Sequence, residues 1–348
     1  MSLAPAAAPH LGVRPDWLAR LREEALEPGL PIIDAHHHLW DHPGAPYFLE
    51  DLLLDLAGGH RITATVAVEC KAMYRTQGPV ALEPVGETEF LNAAATLSAR
   101  GEHGPCRVAA AIVGHADLCL GAQVRPVLQA HVHAGGGRFR GIRYSAVWHP
   151  DPAARGSLAR PPPYVMADPA FRAGFAELAP LGLSFDAWIY HTQLPELSDL
   201  ARAFPATTIV LDHMGGVLGI GPYAGRRDEV RLQWLAHLKE LAQCPNVVLK
   251  LGGMGMRLFG FGFAERENPP SSVELADAWR PYLEPCIEYF GADRCMFESN
   301  FPVDKGSYSY TVLWNAFKRV AAGLSEADKR ALFSASAARI YRLDAPAP

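Results

Sequence analysis

Apolar, β-branched runs recur along the chain and alternate with segments of helical length and periodicity. The first run is Pro31–His36, and the others are Ile62–Glu69, Arg107–Val113, Phe139–Ser145, Leu183–Tyr190, Thr207–Asp212, Val247–Leu251 and Cys295–Glu298. A helix is predicted over Phe48–Ala57, and further helices over Glu87–Arg100, Leu118–Ala134, Pro169–Leu181, Leu194–Phe204, Asp228–Ala242 and Ser272–Phe290. Tyr308–Ala322 and Ser325–Tyr341 close the chain, and a short helix from Pro15 to about Leu26 opens it. Ser325 with Asp328 has the form of a capped helix start, whereas Ser272 with Leu275 does not complete a capping box. Eight strand–helix alternations, with strands as continuously apolar as Val247–Leu251, predict an α/β protein with a closed parallel sheet. The architecture expected is a single (β/α)8 TIM barrel over residues 31–348 behind an N-terminal extension of residues 1–30. An open doubly wound sheet would carry a glycine-rich phosphate turn after its first strand, and none is present.

A barrel of this kind gathers the C-terminal ends of its strands at one mouth. The first strand ends in Asp34-Ala35-His36-His37-His38, where strict alternation puts Asp34, His36 and His38 on one face. The other strand ends supply Glu69, His115 with Asp117, Arg143, His191, Asp212 with His213, Lys250, and Glu298 with Asn300. Two imidazoles at one strand end suit metal ligation or proton transfer. The bland alternative is a surface histidine cluster or a purification tag, but a tag would lie at a terminus outside any strand pattern. For His191 and His213 the alternative is burial with a satisfied hydrogen bond. Arg143 presents a planar fork matched to carboxylates, and Glu69, Lys250 and Arg257 complete the candidate substrate-binding set. The loops His149–Val165, Met214–Arg227 and Gly252–Ser271 are long enough to wall a pocket, with Phe259, Phe261 and Phe263 as its apolar side.

Composition narrows the partners. Of 348 residues 49% are hydrophobic and 20% charged, and the net charge of −5 gives no polybasic footprint for nucleic acid. No apolar run approaches the roughly 20 residues of a membrane span, and no basic stretch followed by an apolar core opens the chain. The six cysteines show no C-x-x-C spacing and read as free thiols in a reducing compartment. These features predict a cytoplasmic protein acting on a small molecule, with no membrane partner; a homo-oligomer is left open.

Six segments resemble one family. D-A-H-H-H-L-W-D at Asp34–Asp41, G-I-R-Y at Gly141–Tyr144, H-T-Q-L-P at His191–Pro195, L-D-H-M-G at Leu211–Gly215, V-L-K-L-G at Val248–Gly252 and F-E-S-N-F-P at Phe297–Pro302 are similar to motifs of the amidohydrolase superfamily. Within it they are most similar to the branch of sugar-acid lactonases and the 2-pyrone-4,6-dicarboxylate lactonase, over about Pro31 to Leu343. The resemblance implies a barrel hydrolase in which His36, His38 and His191 bind a divalent metal, zinc by its nitrogen ligands, or contact substrate without one. His213 resembles the sixth-strand histidine that ligates metal or orients the attacked carbonyl. The implied reaction opens a lactone or similar cyclic ester of a small carboxylic acid with activated water, through His36, His38, His191, His213, Glu298 and Asn300. A metal-dependent decarboxylase of an aromatic or unsaturated acid, and a degenerate barrel that binds a small acid, are the alternatives. The sequence leaves the pattern at Ser299-Asn300-Phe301-Pro302, where relatives carry S-D-[WF]-P. An amide neither accepts a proton near neutral pH nor serves as an anionic ligand, so Glu298 is the expected base and Asp304 the next candidate.

Overall fold

The structure, a computed structural model, describes residues 10–344 apart from residue 158. Its eight strands are β1 (Pro31–His37), β2 (Arg61–Val68), β3 (Arg107–Gly114), β4 (Phe139–Ser145), β5 (Ser184–Trp188), β6 (Ile209–Leu211), β7 (Val247–Leu251) and β8 (Cys295–Phe297). All neighbours are parallel and pair in chain order. Just past β8, Asn300 N donates to His36 O and His38 N to Phe301 O, both at 2.8 Å, which brings the last strand back to the first and closes the (β/α)8 barrel.

Several helices differ from expectation. The first ends at Leu18, and the segment after it is tied to the barrel: Leu26 N donates to Asn315 Oδ1, and Leu26 O and Glu27 O accept from Lys318 Nζ. The 118–134 stretch breaks at Gly121, whose φ of +60° no helix permits. The capping box of Ser272–Phe290 lies one residue earlier than the pair considered, between Ser271 and Glu274. The final helix divides into Glu326–Arg330, a π-turn at Ala331–Ala335 and Ser336–Ile340, and the π-turn places the Phe333 ring 4.8 Å from that of Phe297.

Two apolar layers fix the barrel. Ile33, Ala35, Val66, Val113, Val210, Val248 and Met296 fill its interior, with Tyr341, the residue that ends the last helix, among them. The larger layer lies between strands and helices and holds Trp234, Trp279 and Trp314. Strict alternation fails in β1. Asp34 pairs with Thr65 but His37 with Ala67, so β1 carries one residue more than β2 between these pairs. Such a bulge reverses the facing of the residues beyond it. Asp34, before the bulge, reaches Tyr310 Oη at 2.9 Å in the helical layer, while His36 turns inward. Its Oδ1 also accepts from His36 N at 3.3 Å and Ser299 N at 2.8 Å, occupying backbone donors at the bulge. Asp34 therefore does not share a face with His36 and His38; it holds the bend that aims them.

After β7 two glycines leave room for the interior. A Cβ at Gly252 would lie 2.4 Å from Glu298 Cγ, and one at Gly253, where φ is +74°, would lie 2.4 Å from His213 Nδ1. Gly252→Ala should cost about 1–3 kcal/mol by overpacking, read from urea unfolding midpoints. Gly12→Ala, with nothing within 4 Å, should stay within about 0.5 kcal/mol of the parent; equal effects would contradict this reading of the interior.

Candidate active site

A cavity of about 200 Å³ opens at the strand C-terminal ends. Of the residues singled out from sequence, His38, Glu69, Arg143, His213 and Asn300 line it. His36, Lys250 and Glu298 lie directly behind, with no exposure. His36 Nε2 is 3.2 Å from His38 Nε2, and His38 Nδ1 is 2.8 Å from Val68 O, which fixes the hydrogen on Nδ1. His213 Nδ1 is 2.5 Å from Glu298 Oε1. Burial and the Lys250 charge push His36 well below the ordinary imidazole range, against the pull of Glu298. Burial would raise Glu298, but the His213 and His36 rings beside it hold the carboxyl down at about 2.

A buried ionic cluster supports these groups. Lys250 Nζ lies 2.7 Å from Asp186 Oδ2, 3.2 Å from Asp212 Oδ1 and 3.1 Å from His36 Nδ1. Burial works against the Lys250 charge, yet the three carboxylates Asp186, Asp212 and Glu298 hold its pKa above the ordinary value, so it is an ammonium. Tyr341 Oη closes the cluster from below with a 2.8 Å bond to Asp186 Oδ2. In the wall, Arg143 Nε donates to Glu69 Oε1 at 2.9 Å and Nη2 donates to Glu69 O. Burial would raise Glu69, but Arg143 and then His115 keep it below the usual carboxylate value. The backbone is strained where the chemistry concentrates, with φ of 52° at His213 and 54° at Asn300.

Two residues lie apart from this arrangement. His191 begins the turn after β5, its Nδ1 accepts from Leu218 N at 3.2 Å, and its ring meets Tyr223 edge-on at 5.1 Å. Among the described residues the group whose donor atoms all fall within 4.8 Å of one another is His36, His213 and Glu298, so the expected His36–His38–His191 set is not the one assembled. Arg257 lines a neighbouring cavity with Phe261 and Phe263. Conversely, sequence reading did not single out His10, His42 and Lys71 on the cavity wall, nor Asp186 behind it. His10 comes from the segment read only as an extension, where no pattern marks it. Asp186 did carry a signal, because a carboxylate within the apolar strand Ser-Phe-Asp-Ala-Trp is costly unless paired.

The comparisons with known proteins converge on one class. The amidohydrolase family profile matches residues 33–343. Uncharacterized protein y4mH of Sinorhizobium fredii is 35% identical over 337 residues, covering 90% of this chain and 99% of its own. The L-fucono-1,5-lactonase of Burkholderia multivorans is 28% identical over 329 residues, covering 90% of this chain and 97% of its own. A crystal structure of an amidohydrolase from Burkholderia multivorans with bound Zn superposes with a TM-score of 0.66 at 28% identity, over 90% of this chain and 99% of that one. The chain belongs to the amidohydrolase family. It is an amidohydrolase-type hydrolase on a (β/α)8 barrel.

Arg143 spends Nε and one Nη on Glu69, and no bond from its Nη1 is found among the described residues. Arg143→Lys keeps the charge and loses the fork. Turnover efficiency on an acidic substrate should fall tenfold or more, with little change on a neutral ester analogue; equal losses on both would mean Arg143 only holds the wall.

Proposed function

We propose that this hydrolase opens a lactone, or a similar cyclic ester of a small carboxylic acid, by water attack at the cavity floor. The observation that carries the proposal is the His213–Glu298 pair. With Nδ1 held by Glu298, the other nitrogen of His213 is left to take a proton at the cavity surface, as in carboxylate–histidine pairs generally. Glu298, fully buried, therefore acts through His213 and not directly on water. Asn300 gives one Nδ2 hydrogen to Asp304 Oδ1 at 2.9 Å and has a second to offer a developing oxyanion. In this reading the amide stands where relatives hold a base because its work is donation. The substrate's carboxylate meets Arg143 and Lys71, and its ring lies against Trp40, whose face is flanked by His42 at 4.5 Å and His10 at 5.4 Å. His213 then returns its proton to the departing alkoxide, which completes the ring opening with net addition of one water.

The interior also fits a divalent ion. Asp186, Asp212 and Glu298 face a single ammonium, Lys250, so two negative charges stand in excess when all are ionised. Both Asp212 oxygens and Glu298 Oε2 are buried without a hydrogen-bond partner. In place of the His213–Glu298 hydrogen bond, His36, His213 and Glu298 would hold such an ion, and nitrogen and oxygen donors of this kind suit zinc. When bound it would supply Lewis-acid polarisation of the carbonyl. Lactonase-named relatives support the reaction class. Six free cysteines and the absence, among the described residues, of any helix long and apolar enough to cross a membrane fit the cytoplasmic setting we propose.

The test is a panel of lactones and of aromatic and unsaturated carboxylic acids, run with the parent, His213→Gln and Glu298→Gln. Ring opening by the parent, with each variant down roughly 100- to 10,000-fold, is the expected result. Variants within tenfold of the parent would contradict the pair, carbon dioxide release would select a decarboxylase, and binding without turnover would select a degenerate barrel.

A further inference from the structure

Two groups approach one imidazole nitrogen inside the barrel. Lys250 Nζ lies 3.1 Å from His36 Nδ1 in hydrogen-bond geometry. Glu298 Oε2 lies 3.0 Å from the same nitrogen, yet it is buried with no hydrogen-bond partner. It is near without being aligned. An ammonium only donates, so His36 Nδ1 is the acceptor here and the ring hydrogen of the neutral imidazole sits on Nε2. That hydrogen has a partner, because His38 Nε2 lies 3.2 Å away and accepts while His38 Nδ1 donates to Val68 O at 2.8 Å. From Lys250 through His36 and His38 to Val68 every donor meets an acceptor. Neither histidine of the H-x-H pair keeps an uncommitted lone pair.

A metal ligand must present an unprotonated nitrogen. To ligate through Nε2, His36 has to carry its hydrogen on Nδ1 instead, where Glu298 Oε2 is the acceptor already in reach. To ligate through Nδ1, the ion has to displace the ammonium. Both routes oppose the Lys250 bond, and the first needs Glu298. We propose that Lys250 is the resident cation of the metal-free protein, competing with a divalent ion for His36, and that Glu298 takes over the His36 Nδ1 hydrogen when an ion enters. Along the Nε2 route the imidazole stays neutral: the proton lost to solvent at Nε2 is matched by one gained from solvent at Nδ1. Lys250 keeps its three hydrogens and remains paired to Asp186 and Asp212. The strength of metal binding is then set by a lysine that is never a ligand.

The inference rests on the metal reading above and not on the substrate, so its tests use no turnover. Imidazole nitrogen chemical shifts of labelled protein, assigned by loss of the signal in His36→Gln, should show His36 protonated at Nε2 without metal. Added zinc should shift the hydrogen to Nδ1 or place zinc on Nδ1. Zinc titration against a competing chelator should give at least tenfold tighter binding in Lys250→Met. Because Lys250→Met leaves Asp186 and Asp212 facing each other and can unfold the chain, the double variant Lys250→Met/Asp186→Asn is a second arm, also expected to bind zinc more tightly than the parent. A metal-free spectrum with His36 protonated at Nδ1, or zinc affinity unchanged or weaker in the folded Lys250 variants, overturns the proposal.

Discussion

Charges inside a protein must be answered there, and this barrel is built around one such answer. Asp186 from β5, Asp212 after β6 and Glu298 after β8 all surround Lys250 on β7, with none of the four exposed. Removing Lys250 would leave its carboxylates without a countercharge at a cost of about 3–5 kcal/mol, so the four strands are held at the level of the mouth by electrostatics as well as by backbone pairing. Tyr341 ties the last helix into the same group through Asp186. The cluster lies directly behind the cavity, which makes the demand for stability and the placement of His36 and His213 one requirement.

Around that floor the backbone gives way where side chains need it to. The β1 bulge turns His36 inward and leaves Asp34 to hold the bend. Gly252 and Gly253 make space for Glu298 and His213. His213 and Asn300 adopt positive φ without being glycine, a cost that persists only where surrounding bonds over-determine the geometry. For Asn300 those bonds are visible: its N donates to His36 O and its side chain to Asp304, itself held by Gly255 N at 2.8 Å and Tyr308 Oη at 2.5 Å.

The order of strands was legible because each is a short apolar run bounded by turn residues, and period and length survive in the sequence whatever the tertiary contacts. Strands β4 and β7 were read to the residue. Anything set by contacts distant in sequence did not survive. The bulge depends on Asp34 finding Ser299 and Tyr310, more than 260 positions away, and alternation alone put Asp34 on the wrong face. His191 carries the family motif, but its ring is claimed by Leu218 and Tyr223 on a loop whose path no periodicity describes. Glu298 was legible as an inward carboxylate from strand parity, whereas its contact with His213 was not, since two loops from different strands have to meet for it to form.

In the reaction we propose, a cavity with a cationic wall at Arg143 and a carboxylate-backed imidazole in its floor adds water to an acyl carbon. Turnover of a carboxylated lactone in ¹⁸O-enriched water, followed by mass spectrometry of the product, tests it most directly. The account predicts a ring-opened hydroxy acid with one ¹⁸O in the newly formed carboxylate. Label in the alcohol oxygen, or a product that has lost carbon dioxide, would contradict it.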